Sequence, residues 1–391
     1  MSSHYQCIVV GAGIEGSSTA YNLAKLGKRT LLLEKFPLPH TRGSSHGMSR
    51  IMRKVFVENP DYIALVQECY KLWYELQREA NETLVRQIGM IWMGKRSENE
   101  IRDTVEVMKQ YDLPYNLLSA SEVAQRYPQL RFGPDWYGLF DPEATLIYAN
   151  RALSAFQRLF LRNGGTIHDG ESLVSVHPGL KITITTTKGT YTTDSLVLCL
   201  GPWMRKFCSS HFGVDLPLEV RTVKNCYWKT HNPKSFATEN GFPLVNVTDA
   251  INGHFYGTPL DEYPGLWKFC WFEGTAVPSP EVRDQISSEQ NAKQVEAPAK
   301  HISQHFGGLA DQPSVLETCM FTMTPDMTAI LDRHPKYDNI LLAAGFSGHG
   351  FKLAPLVGKI LATLASGRSV SYKIDSMKLD RFMGQKSASK L

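Results

Sequence analysis

The sequence predicts an α/β protein of two interleaved domains, one wound around a parallel sheet and the other built on an antiparallel β-sheet (α+β). Three observations lead there. The N-terminal segment reads strand, glycine turn, helix, strand. A buried apolar strand and a helix recur near the C-terminus. Between them, from Val220 to Trp271, strand follows strand, with Tyr227, Trp228, Phe255, Tyr256 and Trp267 among the aromatics. Alternating strands and helices build a helix-covered sheet, and consecutive strands build an antiparallel one.

Taken in order, Gln6–Val10 carries Ile8, Val9 and Val10, residues that suit a strand buried on both faces. It runs into Gly11-Ala12-Gly13-Ile14-Glu15-Gly16. Ser17–Leu26 has helical spacing at Ala20, Leu23 and Ala24, and stops at Gly27. Arg29–Leu33 is the second strand and Glu34 ends it. A loop from Pro37 to Gly47 precedes Arg50 to Val57, and Pro60 and Asp61 open an amphipathic helix through Leu76. Between Gly89 and Gly138 the pattern loosens, with a strand at Met90–Met93 and a helix near Glu98–Tyr111. Ala149–Arg162 is a helix with Leu153, Phe156 and Phe160 apolar. Strands resume at Thr166–His168, Leu173–Val176, Ile182–Thr187 and Ser195–Cys199, ending in Gly201-Pro202. Near the end, Ile340–Ala344 is a buried strand, Gly345 to Gly350 a loop and Phe351–Ser366 a helix. Residues 1–86, 147–218 and 321–391 are assigned to the first domain, and 87–146 and 219–320 to the second.

Composition removes several function classes. In 391 residues, 42% are apolar and 20% charged, which is too apolar for disorder and ample for a large core around a cofactor cavity. A net charge of +4 without a basic tract argues against nucleic acid as a partner. No apolar stretch approaches the roughly 20 residues that cross a bilayer, so no membrane is expected. The N-terminus lacks a basic-then-apolar leader. Seven cysteines, scattered and never spaced C-x-x-C, suggest neither a disulfide framework nor a zinc site, and place the chain in a reducing compartment. The final Ser389-Lys390-Leu391, after the small, polar Gly384–Ala388, reads as a peroxisomal address and makes the import receptor a partner.

The glycine turn carries the chemistry. G-x-G-x-x-G alone is weak, but here it follows a strand, opens a helix, and Glu34 closes the next strand 23 residues after Gly11. Gly11 allows the tight turn, Gly13 a close approach of backbone to pyrophosphate, and Gly16 the packing of helix on sheet. A pyrophosphate then faces the N–H groups and positive end of the helix, and Glu34 accepts from ribose hydroxyls. The sheet is completed only after two long insertions, as in flavin oxidases, so FAD is preferred over NAD. The first domain is accordingly predicted to be an FAD-binding, Rossmann-like domain.

Five pieces carry a family resemblance. They are the fingerprint, His40-Thr41-Arg42-Gly43-Ser44-Ser45-His46-Gly47, Ser49-Arg50-Ile51, Cys319-Met320-Phe321-Thr322, and Ala344-Gly345-Phe346-Ser347-Gly348-His349-Gly350-Phe351-Lys352. Over essentially the whole chain the sequence resembles the monomeric sarcosine oxidase family, most closely its animal peroxisomal branch of sarcosine and L-pipecolate oxidases. The resemblance implies FAD held covalently, as an 8α-S-cysteinyl thioether through Cys319. It implies that Arg53 and Lys352 bind the substrate carboxylate. A buried carboxylate needs cationic partners, and a lysine in the first turn of a helix is easier to explain if it meets an anion. It further implies that His46 and Arg50 lie close to the flavin ring and that Tyr256 is an active-site tyrosine. Lys268 matches the oxygen-activating lysine when one gap is allowed in Leu266-Trp267-Lys268-Phe269. By the same resemblance, cofactor contacts fall on Lys35, Arg42, Ser44, Ser45 and Leu173. More fall on Gly201, Trp203 and Met320, and on Gly345, Phe346, Gly348, His349 and Gly350, beside Ala12, Ile14 and Glu15 of the turn. One position departs from the pattern: Phe272 stands where some relatives carry histidine.

The reaction implied is oxidation of a secondary amine beside a carboxylate, with O2 as acceptor and peroxide as product, in a monomer. Sarcosine, L-pipecolate and L-proline are the candidate substrates, and Phe272 with the Tyr227-Trp228 region leans toward a cyclic one. Two other classes stand beside it. A dehydrogenase of the same fold would pass electrons to a protein acceptor, and a non-catalytic flavin-binding protein would hold flavin that no amine reduces.

Overall fold

The structure is a computed structural model, and it describes residues 3–57, 59–259, 263–285 and 287–382. Ser389-Lys390-Leu391 lie outside the described residues.

The N-terminal unit forms as its sequence requires. β1 (Ser3–Val10), α1 (Ile14–Lys25) and β2 (Thr30–Leu33) are joined by the glycine turn, with β1 and β2 parallel and Val10 opposite Leu33. The helix begins inside the fingerprint, at Ile14 rather than Ser17, because the turn itself supplies its first residues. Cys7 and Val9 pack into one apolar cluster and Ile8 and Val10 into another, the two-sided burial expected of a central parallel strand. Fully burying each such aliphatic side chain contributes roughly 1.5–3 kcal/mol.

β1 and β2 belong to an eight-stranded sheet. Thr190–Leu198 runs parallel to β1 along its length. Its other edge is shared, first by antiparallel Ile182–Thr186 and then by parallel Tyr337–Ala344. The Gly350–Ala365 helix packs on α1 in the first cluster, with Leu353, Val357 and Ile360 buried. Gly358 sets that approach: a Cβ there would stand 2.1 Å from Ser18 Oγ and 2.5 Å from the Ser18 carbonyl carbon.

A nine-stranded sheet holds Glu219–Thr230, Leu244–Asp249, Gly253–Pro259 and Leu266–Trp271, as the aromatic-rich segment predicts. It is mixed rather than wholly antiparallel. Leu244–Asp249 pairs in parallel with Met90–Lys95, with Val245 opposite Ile91, because two segments distant in sequence meet there and no hairpin dictates their direction. Among the elements additional to the sequence reading are a long helix and a long strand. The Ser288–His305 helix is capped by a reciprocal Ser287–Gln290 box, and its internal Pro298 breaks the helical signal. The Leu309–Met323 strand pairs with Glu219–Thr230 along one whole edge.

A three-stranded sheet of β3 (Ser49–Met52), Val85–Gln87 and Thr145–Tyr148 lies apart from these sheets in its hydrogen bonding. α2 (Asp61–Ala80) outruns the predicted end at Leu76, its last buried residue, and closes on left-handed Asn81. Among the described residues no helix is long and apolar enough to cross a membrane.

Candidate active site

Two adjoining cavities are built where the sheets meet. The larger, about 1100 Å³, starts at the β1–α1 turn and runs to Gly345–Gly350. Gly11 has φ +100°, and a Cβ on it would lie 2.3 Å from Cys199 O; one on Gly16 would lie 1.8 Å from Gly11 O. Only glycine permits that turn and that contact. The first bonded amide inside α1 is Ser17 N–H, donated to Gly13 O at 2.8 Å, so the preceding N–H groups point out of the helix end. Ile14 N–H is met by Ser45 Oγ at 3.0 Å.

Glu34 closes β2 with both oxygens engaged. It accepts from Ala12 N–H at 2.8 Å and Phe36 N–H at 3.0 Å, with His40 Nε2 at 3.3 Å. Burial alone would raise its pKa, but His40 and the two amides outweigh it and hold the carboxyl low. Two carboxylate oxygens have about four acceptor directions, so room remains for hydroxyl donors. Beyond Glu34, Lys35 Nζ lies 5.3 Å from the Trp203 ring, with Phe36 tilted on Trp203 at 5.6 Å between centroids. Leu173 and Gly201 line the same end.

The smaller cavity, about 250 Å³, shares Arg50, Phe321, Gly348 and Phe351 with the larger one. Arg50 is fixed by the Ser49, Ser44 and His46 carbonyls at 2.8, 3.0 and 2.7 Å, over the Phe351 ring. His46 is buried, its Nε2 3.1 Å from Thr318 O, and burial, then Arg50, pushes its pKa down to about 4. With Nε2–H donating to that carbonyl, Nδ1 presents a lone pair. Cys319 is buried with Sγ 3.6 Å from Ser44 O, and it lines the smaller cavity while neighbouring Met320 lines the larger.

Three further cations reach the smaller cavity from separate elements. Arg53 follows β3 and lies 4.6 Å over Trp92. Lys352, in the first turn of the Gly350–Ala365 helix, places Nζ 3.2 Å from His349 Nδ1. Lys268 is 1% exposed, with Nζ 5.4 Å from the Tyr256 ring. Burial lowers its pKa, partly opposed by Cys270. Tyr256 OH donates to Asn225 Oδ1 at a long 3.5 Å. Phe272 lies tilted against Phe321, 5.2 Å between centroids, and closes on Gly348, making that wall apolar.

The structure therefore gathers Lys268, Arg53, Lys352, Tyr256 and Arg50 around one cavity, with His349 and Cys319 on this side rather than in the larger cavity. His46 lines the larger cavity beside Arg50. Gly16 lines neither and serves packing, as its position in the fingerprint implies. Arg42 is not brought in: its guanidinium pairs with Asp284 at 2.8 Å on the surface. Trp92, Met327, Asn225 and the His254–Glu100 pair at 2.9 Å are lining residues the sequence reading lacked, as is Glu317 of the larger cavity, which accepts from Tyr227 OH at 2.5 Å. No motif marks them: Trp92, Asn225, His254 and Glu317 meet the cavities from strands distant in sequence, Glu100 from a helix and Met327 from a turn.

A turn that only glycine can make, a carboxylate at the second strand and a deep adjoining cavity define a dinucleotide-dependent enzyme. The profile of the FAD dependent oxidoreductase family (DAO) matches residues 6–364, and the chain belongs to that family, within its sarcosine oxidase group. It is 41% identical to the peroxisomal sarcosine oxidase of Mus musculus over 97% of this chain and 96% of that one. It is 33% identical to the monomeric sarcosine oxidase of Streptomyces avermitilis over 96% and 97%. In fold it matches the open form of NikD, an unusual amino acid oxidase, with a TM-score of 0.86 at 24% identity, covering 97% and 98% of the two chains.

FAD fits this site. Besides the glycine cradle, Glu15 Oε1 and His46 Nδ1, both on residues lining the larger cavity, are buried polar atoms without a hydrogen-bond partner in the protein. A polar ligand is what such atoms require.

Proposed function

We propose that the chain is a flavin-dependent oxidase of secondary amino acids, sarcosine and L-pipecolate being the reference cases. The observation that carries this is the placement of Arg53 and Lys352, with His349 between charges as a neutral acceptor, in a cavity that adjoins the dinucleotide site. FAD, when bound, accepts two electrons from the substrate and returns them to O2. The amine becomes an imine, which water hydrolyses, and O2 becomes H2O2.

The chain's own residues do the rest. Arg53 and Lys352 bind the carboxylate through charge-assisted hydrogen bonds and so orient the amine-bearing carbon. Trp92, Phe272, Phe321 and Phe351 exclude water. Lys268, when protonated, stabilises superoxide forming nearby. At about 4 Å and an effective dielectric near 20 that is worth at most ~4 kcal/mol.

Peroxide formation with sarcosine, L-pipecolate and L-proline side by side tests the proposal. Turnover of none of them, with flavin bound, would overturn it. Reduction by an amine without peroxide would instead favour a dehydrogenase.

Three finer points belong to the same reading. Cys319 is the covalent attachment point, supported by its burial beside Ser44 at the junction of the cavities. The acid-precipitated protein should then stay yellow, and Cys319→Ala should release its flavin. Residues 1–86, 147–218 and 321–391 form the cofactor unit and 87–146 and 219–320 the substrate unit. All strands of the eight-stranded sheet fall in the former, which supports the division. The compartment is the peroxisome, as in the name of the mouse relative. The address is Ser389-Lys390-Leu391, and its deletion should leave the protein in the cytosol. The working form is a monomer.

A further inference from the structure

Glu15 has no role in the chemistry described so far. It is the second residue of α1, in the turn where a diphosphate belongs, and its side chain reaches across to the other helix whose N-terminus meets the cavity. A Cβ on Gly350 would lie 2.5 Å from Glu15 Oε1, so the carboxyl fills the place a side chain would occupy there. That oxygen is buried without a partner, although the residue lines the larger cavity. A carboxylate in this position has lost its water, gains no cation, and would face the two negative charges of an arriving diphosphate. A neutral carboxylic acid suffers neither penalty and gains an O–H donor.

We propose that Glu15 holds the cofactor as a neutral acid and that FAD binding takes up one proton at this carboxyl. The inference rests on FAD as the cofactor. Burial already raises the Glu15 pKa to about 7, opposed only by its own backbone N–H. The other titratable groups around it do not supply this proton. The Cys199 thiol, at the end of the neighbouring strand, is pushed up by burial and stays protonated. His349 and Lys352, in the first turn of the facing helix, line the smaller cavity and pair with each other. Glu34 is held ionised by His40, and His46 titrates near 4.

The sign follows from linkage. In the free protein the carboxyl is ionised above pH about 7, and in the complex it is neutral, so affinity is full below that pH and falls as pH rises through it. The test uses full-length Cys319→Ala apoprotein, in which binding is reversible, titrated with FAD by fluorescence quenching from pH 6 to pH 9. The Kd should rise about tenfold per pH unit above 7. Mixing at pH 8 with an indicator dye should show about one proton taken up per FAD. Cys319→Ala/Glu15→Gln, whose amide imitates the neutral acid, should bind with no slope and no uptake. No uptake at pH 8, or a slope that survives Glu15→Gln, overturns the proposal. Should the double variant not fold, the dye measurement on protein with native Glu15 decides alone. Failure to bind FAD at any pH would instead strike the cofactor assignment.

Discussion

Lys352 Nζ stands 3.2 Å from Nδ1 of His349, and the histidine is the uncharged member of the pair. Its burial, then Lys352 and Arg53, drive its pKa well below the ordinary value. The ring is therefore an acceptor that aims the ammonium, not a third cation. A histidine of the Gly345–Gly350 loop is thus placed to position the lysine rather than to carry charge itself.

The proposed carboxylate clamp makes the first prediction. Lys352→Met should lower kcat/KM for a secondary amino acid roughly 10- to 100-fold, the worth of a charge-assisted hydrogen bond of about 1.5–3 kcal/mol. The loss should appear mainly in KM, measured by steady-state peroxide release. An unchanged KM would remove Lys352 from carboxylate binding.

His349 yields a pH statement. A group held neutral above its depressed pKa adds no titration at neutral pH. Between pH 6 and 8, kcat/KM should therefore show no inflection that His349→Gln abolishes. Comparing the two pH profiles checks this.

Lys268→Met should slow reoxidation of reduced enzyme by O2 by up to about three powers of ten and leave reduction by substrate nearly unchanged. Stopped-flow traces of the two half-reactions separate these effects. Because burial lowers the Lys268 pKa, its charge is present at low pH and lost as pH rises through that lowered value. Wild-type reoxidation should then slow at a lower pH than an ordinary lysine would dictate.

Phe272→His should shift preference from L-pipecolate toward sarcosine. Replacing an apolar wall contact is worth roughly 1–3 kcal/mol of discrimination, or tenfold and more in the ratio of kcat/KM values. An unaltered ratio would detach Phe272 from substrate choice.

Gly358→Ala should destabilise the fold. Alanine gains about 1 kcal/mol of helix propensity. Its Cβ must displace Ser18, 2.1 Å away at Oγ, and overpacking of this kind costs about 1–3 kcal/mol or more. Thermal unfolding of the variant beside wild type measures the balance.

The parts legible in the sequence are those whose logic is local. Gly11, Gly13, Gly16 and Glu34 sit within one strand–helix–strand unit, and their spacing alone dictates what they can touch. Lys268 and Lys352 stand in motifs that mark them. Tyr227 and Glu317 are 90 residues apart and meet because two strands pair in register, which no local pattern states. Arg53 and Trp92 come from two sheets that share no hydrogen-bonded strand pair among the described residues, and they meet through tertiary packing alone. The Ser288–His305 helix did announce itself through Ser287 and Gln290, but Pro298 contradicted the announcement, and tertiary packing decided between them.

Leu309–Met323 has a mechanical consequence. It starts opposite Thr230, far along the nine-stranded sheet, and reaches Cys319, Met320 and Phe321 without a turn. At its far end Thr322 O accepts from Ser347 N–H at 3.0 Å, and Ser347 Oγ accepts from Thr324 N–H at 3.1 Å. One continuous strand, whose register against its neighbour shifts twice between Tyr227 and Thr230, therefore carries walls of both cavities and is tied to the loop between them. Across Cys319, Met320 and Phe321 the two chambers are stepped by the rise of a single strand, about 3.4 Å per residue, so neither wall can be shifted along the chain without the other.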